Sequence, residues 1–421
     1  MLAAPGWRGT KRTITEEKLT GPYRSPEDRA ISLGSDLPAI PERLLLAHAR
    51  GEVLFICGAG VSRPAGLPDF RDLVLDTYHA LDKAVHKVLS SIPSGACNRF
   101  DPDCSQLTDG QTAEVRRFVS GDYDVVLGML ERRLDNATRG DSRVRREVAI
   151  RLRASGARPA PIHRSLMRLA DRGGVVTIVT TNFDRLLETS LPRGTGRPQT
   201  YSLGAMPRPA RHTEFAGVLH IHGALDSNPD RSSELILSDR DFGEFYLRRR
   251  VVPDFIYDAA RLFHLVLVGY SANDPPMRYL LNAVAADGTR FDDLKERFTF
   301  FGTEAPDAVA IEDWKARGIT PIHYDSRDRH QLLGAALGAW ARLSAVNGSE
   351  RLLDAEIRRI VKSNRVVASE ADRDLFDHLF RRGNASERLR LARVAADAMA
   401  DLGWLDAITN IAREPARSRA S

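Results

Sequence analysis

Residues 53–71 read VLFICGAGVSRPAGLPDFR, and the organisation of the chain is legible outward from that run. The apolar segment 53–57 breaks into Gly58-Ala59-Gly60, passes Ser62, turns again at Gly66-Leu67-Pro68 and reaches Asp69-Phe70-Arg71. A buried strand that breaks into glycines lets backbone N–H groups approach a pyrophosphate, and a following helix start adds positive dipole. Phe70 is a flat ring suited to covering a heterocycle, and Arg71 is a fixed charge suited to phosphate. The run reads as a nucleotide site. Its kind is bounded by what is missing. The usual dinucleotide fingerprint places a third glycine where Arg63 stands, and a second strand with an acidic tip about 20 residues on. Residues 70–89 instead carry helical spacing in Leu73, Val74, Tyr78, Leu81, Val85 and Leu89. An ordinary hydride-transferring dehydrogenase is disfavoured, and with no Gly-Lys-Ser/Thr a Walker-type loop is excluded.

At 421 residues, 43% hydrophobic and 28% charged, the composition is globular, with length for one large domain and a smaller module. A net charge of +5 permits contact with nucleotides or nucleic acid without arguing for either. The three cysteines, Cys57, Cys97 and Cys104, are too few for a disulfide framework or a four-thiolate zinc site. Residues 1–34 lack the apolar core of a signal peptide, and the apolar run 262–270 is half a membrane span. These features predict a soluble, cytoplasmic chain.

Residues 1–35, rich in Pro, Gly, Arg and Ser, are expected to be loosely ordered or used in subunit contacts. Helices are predicted at 41–50, 70–89, 112–119, 123–134, 144–153 and 162–172, so that about 90–172 forms a helical insertion. Short strands are predicted at 53–57, 175–180, 218–222, 265–270, 298–301 and 320–324. Apolar strands alternating with helices imply an α/β, Rossmann-like, doubly wound and mainly parallel sheet. This domain is placed at 36–330, and amphipathic pieces beyond it predict a C-terminal helical region at 331–421.

In open α/β sheets, ligands bind at the carboxyl ends of the strands. Three predicted strands end in polar residues there: Thr180-Thr181-Asn182-Phe183-Asp184, His220-Ile221-His222-Gly223, and Gly269-Tyr270-Ser271-Ala272-Asn273-Asp274. Each has a local explanation. Asn182 and Asp184 suit a helix cap, as do Ser271 to Asp274. His222 suits a satisfied turn, and His220-x-His222 is a metal pair only if a third ligand joins it.

Taken in order, GAGVS, GLPDFR, TTNFD, HIHG and GYSANDP resemble the sirtuin (Sir2-like) NAD-binding fold over about 53–324. They look most like its divergent bacterial branch, found in antiphage defence. The resemblance implies that Gly58, Ala59, Gly60 and Ser62 hold the diphosphate, and that Asp69, Phe70 and Arg71 close over the nicotinamide ribose. It implies that Asn182 orders ribose and water, that Asp184 grips the carboxamide, and that His222 is the catalytic base or orients the ribose. Thr181, Gly269, Ser271, Asn273 and Asp274 would complete the cofactor contacts. Two departures bear on activity. No cysteine lies beyond Cys104, where deacetylating sirtuins carry four zinc ligands, and Thr181 replaces the family's Gln before the catalytic Asn. The resemblance therefore implies an NAD+ hydrolase without zinc, releasing nicotinamide and ADP-ribose, in place of a protein deacylase or ADP-ribosyltransferase. A non-catalytic NAD- or ADP-ribose-binding subunit is the other alternative. The same branch implies a homo-oligomer, or a separately encoded partner such as a HerA-like ATPase or an Argonaute. Residues 235–263 replace the zinc module with helices, Ser238-x-x-Asp241 reading as a capping box.

Overall fold

The computed structural model describes residues 29–94, 100–135, 142–154, 156–191, 198–203, 207–210, 214–225, 235–270, 294–305 and 307–414. A small antiparallel hairpin, β1 (Ala30–Ser32) and β2 (Ala39–Pro41), leads into helix α1 (Glu42–Ala49). The main sheet comprises β3 (Val53–Cys57), β4 (Thr177–Thr180), β5 (Thr200–Ser202), β6 (Gly217–His220), β7 (His264–Val268), β8 (Arg297–Thr303) and β9 (Ile319–Asp325). Among the described residues its seven strands run in the order β5-β6-β4-β3-β7-β8-β9, and every pairing there is parallel. The doubly wound parallel sheet is therefore as expected from the alternation of strands and helices.

Continuous apolar strands follow from burial on both faces. In β3, Phe55 and Cys57 join one core with Val266, Val268, Phe298, Leu166 and Trp340. Leu54 and Ile56 face the other way, with Val179, Leu219, Leu267, Phe255 and Ile256. The C-terminal helices Glu350–Ile360, Glu370–Arg382, Ala385–Asp397 and Leu402–Arg413 share the first of these cores through Ile357, Phe376, Leu379 and Trp404. Glu42 of α1 ties in the same helices through His378 at 3.3 Å and Arg381 at 3.3 Å. Among the described residues no helix is long and apolar enough to cross a membrane.

Between β3 and β4 stand α2 (Phe70–Leu81), α3 (Lys83–Leu89), α4 (Asp109–Val119), α5 (Tyr123–Asp135), α6 (Arg143–Ala154) and α7 (Pro161–Ala170). The single helix expected at 70–89 divides at Asp82, whose backbone leaves the helical region (φ −151, ψ 87) and whose side chain caps α3 at the N–H of Val85. The insertion has its own core of Val74, Tyr78, Val115, Phe118 and Leu127. The strand expected at 218–222 stops at His220, leaving Ile221 and His222 in the loop. The strand at 265–270 likewise stops at Val268.

One buried ion pair joins the insertion to the segment after β6. Arg145 and Asp241 are each 1% exposed, with Nη2 and Oδ2 2.5 Å apart. Arg145 also donates to the Leu235 carbonyl at 2.6 Å and to Glu131 at 2.8 Å. Removing one partner of such a pair strands a buried charge, at a cost of about 3–5 kcal/mol. Arg145→Ala is expected to lose that much unfolding free energy in urea titrations. Arg145→Met with Asp241→Asn, which removes both charges while the amide oxygen can still accept the Leu237 and Ser238 N–H groups, should recover part of it. A loss below about 1 kcal/mol in the single variant would show that the pair is not the tie described.

Candidate active site

Parallel register brings the strand tips together: Cys57 aligns with Thr180 on one side and Val268 on the other, and Thr180 aligns with His220. The carbonyl of Cys57 accepts from the Thr181 N–H, the Thr180 hydroxyl and the Tyr270 hydroxyl, each at 3.0 Å. The loops beyond β3 and β7 then touch backbone to backbone. The N–H of Gly58 donates to Val268 at 2.8 Å and that of Gly60 to Gly269 at 3.0 Å. A Cβ on Gly58 would meet the Gly269 oxygen at 2.7 Å; one on Gly269, whose φ is +77°, would meet the Val61 nitrogen at 2.6 Å. The glycines are thus required for loop-on-loop contact. The N–H groups of Gly58 and Gly60, expected to approach a pyrophosphate, are bonded to the last residue of β7 and to Gly269 just beyond it. Nor does a helix follow directly: two one-turn 3-10 segments, Ala59–Val61 and Arg63–Ala65, precede α2.

At this junction Ser62, Asn182 and Asp184 form one hydrogen-bonded chain. The Asn182 amide donates to the Gly58 carbonyl and to Ser62 Oγ, both at 3.0 Å, and Ser62 donates to Asp184 Oδ2 at 2.8 Å. Both amide hydrogens of Asn182 are spent inward, which leaves its Oδ1 as the acceptor for anything bound alongside. Asp184 also accepts the Leu186 N–H at 3.0 Å, at the start of the short helix α8 (Leu186–Thr189). One carboxylate thus serves both Ser62 and the first N–H of α8.

His222 stands two residues beyond the end of β6, held by the N–H of Ile236 on its carbonyl at 2.9 Å. Its ring is buried edge-on between Phe242 and Tyr246, with centroids at 5.6 and 5.8 Å. Nε2 lies 2.5 Å from the Tyr246 hydroxyl. Burial pushes its pKa down to about 3, so the imidazole is neutral, the form a base requires. Tyr246 escaped the sequence reading. It sits in a π-helical turn, Gly243–Arg248, directly after α9 (Asp239–Phe242), and such turns leave no periodic signal while clustering at functional sites. The capping box of Ser238 and Asp241 opens this element as expected.

The other expected site residues make contacts within the protein. Asp69 caps α2, accepting the Asp72 N–H at 2.9 Å. Phe70 packs edge-on against Tyr123, with centroids 6.3 Å apart. Arg71 turns into the insertion, donating to the Ile92 carbonyl at 2.5 Å and covering the Phe118 ring at 5.2 Å. Thr181 meets the Tyr270 hydroxyl at 3.0 Å. Ser271, Asn273 and Asp274 lie outside the described residues. His220 and His222 do not share a ligand position: His220 contacts the Asn182 carbonyl and Glu188, and His222 contacts Tyr246.

Burial of neutral histidines sets a pH dependence. Burial, reinforced by Arg382 and opposed by a bond to the Leu169 carbonyl, also pushes His48 down to about 4. Both rings stay neutral in the folded chain, whereas the unfolded chain takes up protons near pH 6.5. Their contribution to stability is complete above that value and is lost as pH falls toward 4 and 3. Each ring should cost about 1.4 kcal/mol per pH unit over that range. Urea titrations from pH 7 to 4.5 should show the decline, with a smaller slope in His222→Gln; a flat profile would contradict it.

Residues 176–322 match the family model described as the SIR2-like domain. The uncharacterized protein y4cA of Sinorhizobium fredii (strain NBRC 101917 / NGR234) is 35% identical over 300 residues, covering 68% of this chain and 22% of that protein. The chain thus spans about a fifth of the length of the curated relative it matches. A solved structure described as the structural basis for the mechanism and regulation of Sir2 enzymes is 15% identical, with a TM-score of 0.32. It covers 72% of this chain and 97% of its own. Since the family match takes in Asn182, Asp184 and His222 together, the chain carries a Sir2-like domain.

Proposed function

We propose that this chain hydrolyses NAD+ to nicotinamide and ADP-ribose. Nicotinamide leaves from a cationic precursor as a neutral molecule, so the bond needs no general acid, unlike ordinary glycosides with their paired carboxylates. The site must orient the carboxamide, tolerate an oxocarbenium-like ribose and deliver a nucleophile. Asp184 retains acceptor capacity for the carboxamide beyond its bonds to Ser62 and Leu186. The outward Oδ1 of Asn182 suits a water. Neutral His222 can take the proton, directly or through a ribose hydroxyl, once Tyr246 yields or relays at Nε2. The observation that carries this reading is the Asn182–Ser62–Asp184 chain at the joined tips of β3 and β4. Water is favoured over an acyl-lysine oxygen because no cysteine follows Cys104 to build the zinc module that frames a peptide groove.

By its likeness to the bacterial defence branch, we assign the activity to NAD+ depletion in antiphage defence, controlled by self-assembly or by a separately encoded partner such as a HerA-like ATPase or an Argonaute. NAD+ incubated with purified protein should yield ADP-ribose and nicotinamide in equal amounts without peptide. Asn182→Ala and His222→Ala should each lose about 10²–10⁴-fold in kcat while still binding NAD+. Release only with acylated peptide identifies a deacylase, and binding without turnover a regulatory subunit. Turnover surviving in the double variant shows that the chemistry lies elsewhere.

A further inference from the structure

We propose that His220 and Glu188 form a buried, proton-holding pair whose task is to position Asn182; this rests on the role of Asn182 proposed above. His220 closes β6 with its side chain fully buried, and the Glu188 side chain on α8 is 5% exposed. Nδ1 of His220 lies 2.8 Å from the carbonyl oxygen of Asn182. A carbonyl only accepts, so Nδ1 carries hydrogen. Nε2 lies 3.1 Å from Glu188 Oε1. In a neutral ring with hydrogen on Nδ1, Nε2 presents a lone pair, which would face the lone pairs of a carboxylate. The two contacts coexist only if the pair holds one more proton, on the imidazole or on the carboxyl.

Glu188 favours the first arrangement. Burial raises its pKa, but hydrogen bonds, the one with His220 first and that of Thr200 among the others, hold it below the usual carboxylate range. The Thr200 hydroxyl donates to the same Oε1 at 2.8 Å, and Arg185 approaches it to 3.8 Å from the solvent side. Glu188 Oε2 is buried without a partner among the described residues. An ion pair kept out of water at this desolvation cost has one product in the site. It is the third anchor on Asn182, whose N–H is held by Thr180 Oγ1 at 3.0 Å and whose amide is held by Gly58 and Ser62. Backbone and side chain of Asn182 are then fixed together. His220 and Glu188 are positioning residues, acting through Asn182.

The test uses the full chain, with NAD+ as ligand. His220→Phe and Glu188→Leu should lower kcat roughly 10- to 100-fold, the size expected of a misplaced site residue, with the Kd for NAD+ within about twofold. Glu188→Gln is the rescue: its amide can donate to Nε2 while Nδ1–H keeps the Asn182 carbonyl, restoring kcat to within about threefold. Imidazole ¹⁵N spectra should show His220 protonated on both nitrogens in the parent and on Nδ1 alone in Glu188→Gln. Full kcat in His220→Phe, or a parent ring protonated on one nitrogen, overturns the proposal. Glu188→Gln as slow as Glu188→Leu overturns it too. Should His220→Phe fail to fold, the two Glu188 variants and the spectra decide. Turnover intact in Asn182→Ala fails the catalytic reading itself, whereas loss there with full rate in His220→Phe fails only the positioning role.

Discussion

The carbonyl oxygen of Cys57 ties three strand ends together. It terminates the central strand, it is buried, and left alone it would cost the desolvation of an unsatisfied acceptor. Donors from both flanking strands answer it: Thr180 and Thr181 from β4, and Tyr270 from beyond β7. The close contact of Gly58 and Gly60 with Gly269 follows, because the loops leaving β3 and β7 must turn away at backbone distance. Asn182 and Asp184 leave β4 from this junction, and Ser62 reaches them from the other side. The meeting of the strand tips is therefore set by main-chain geometry, and the side chains there inherit their positions.

Charge is sorted around that junction by burial. His222 sits in an apolar slot between Phe242 and Tyr246 and stays neutral. Two residues earlier on the same segment, His220 faces a carboxylate and a carbonyl. The two rings share a motif and have different surroundings, because each meets a different distant segment, α8 for His220 and the α9–π-helical element for His222. The slot around His222 is built from α9 and the π-helical turn, and these are fastened to the helical insertion by Arg145 and Asp241.

Legibility in the sequence followed element length and apolar continuity. The span of β3 was readable to the residue, since a run buried on both faces admits no polar interruption. The three-residue strands β1, β2 and β5 were not, because so few residues show no period. The apolar spacing of 70–89 read as one helix although Asp82 divides it, since the residues on either side still line one core. Among the candidate site residues, Asn182, Asp184 and His222 were singled out at the polar tips of apolar strands and Ser62 in the glycine loop after β3, and the structure joins Ser62, Asn182 and Asp184 by hydrogen bonds. Tyr246, Glu188 and Arg145 were not found, because their partners lie 24, 32 and 96 residues away in the chain. Arg71 suited a phosphate by charge alone, yet it lies against Phe118 and the Ile92 carbonyl.

The sequence by itself determined a parallel α/β sheet and the residue types at its strand ends, because apolar runs, glycine breaks and chain order are local properties. Only the tertiary structure decided how those residues are used. Hydrogen-bond partners, burial and the resulting protonation depend on which distant segments meet. That is why the Gly58 and Gly60 N–H groups bond to Val268 and Gly269, and why His220 and His222, two residues apart in the chain, have different partners.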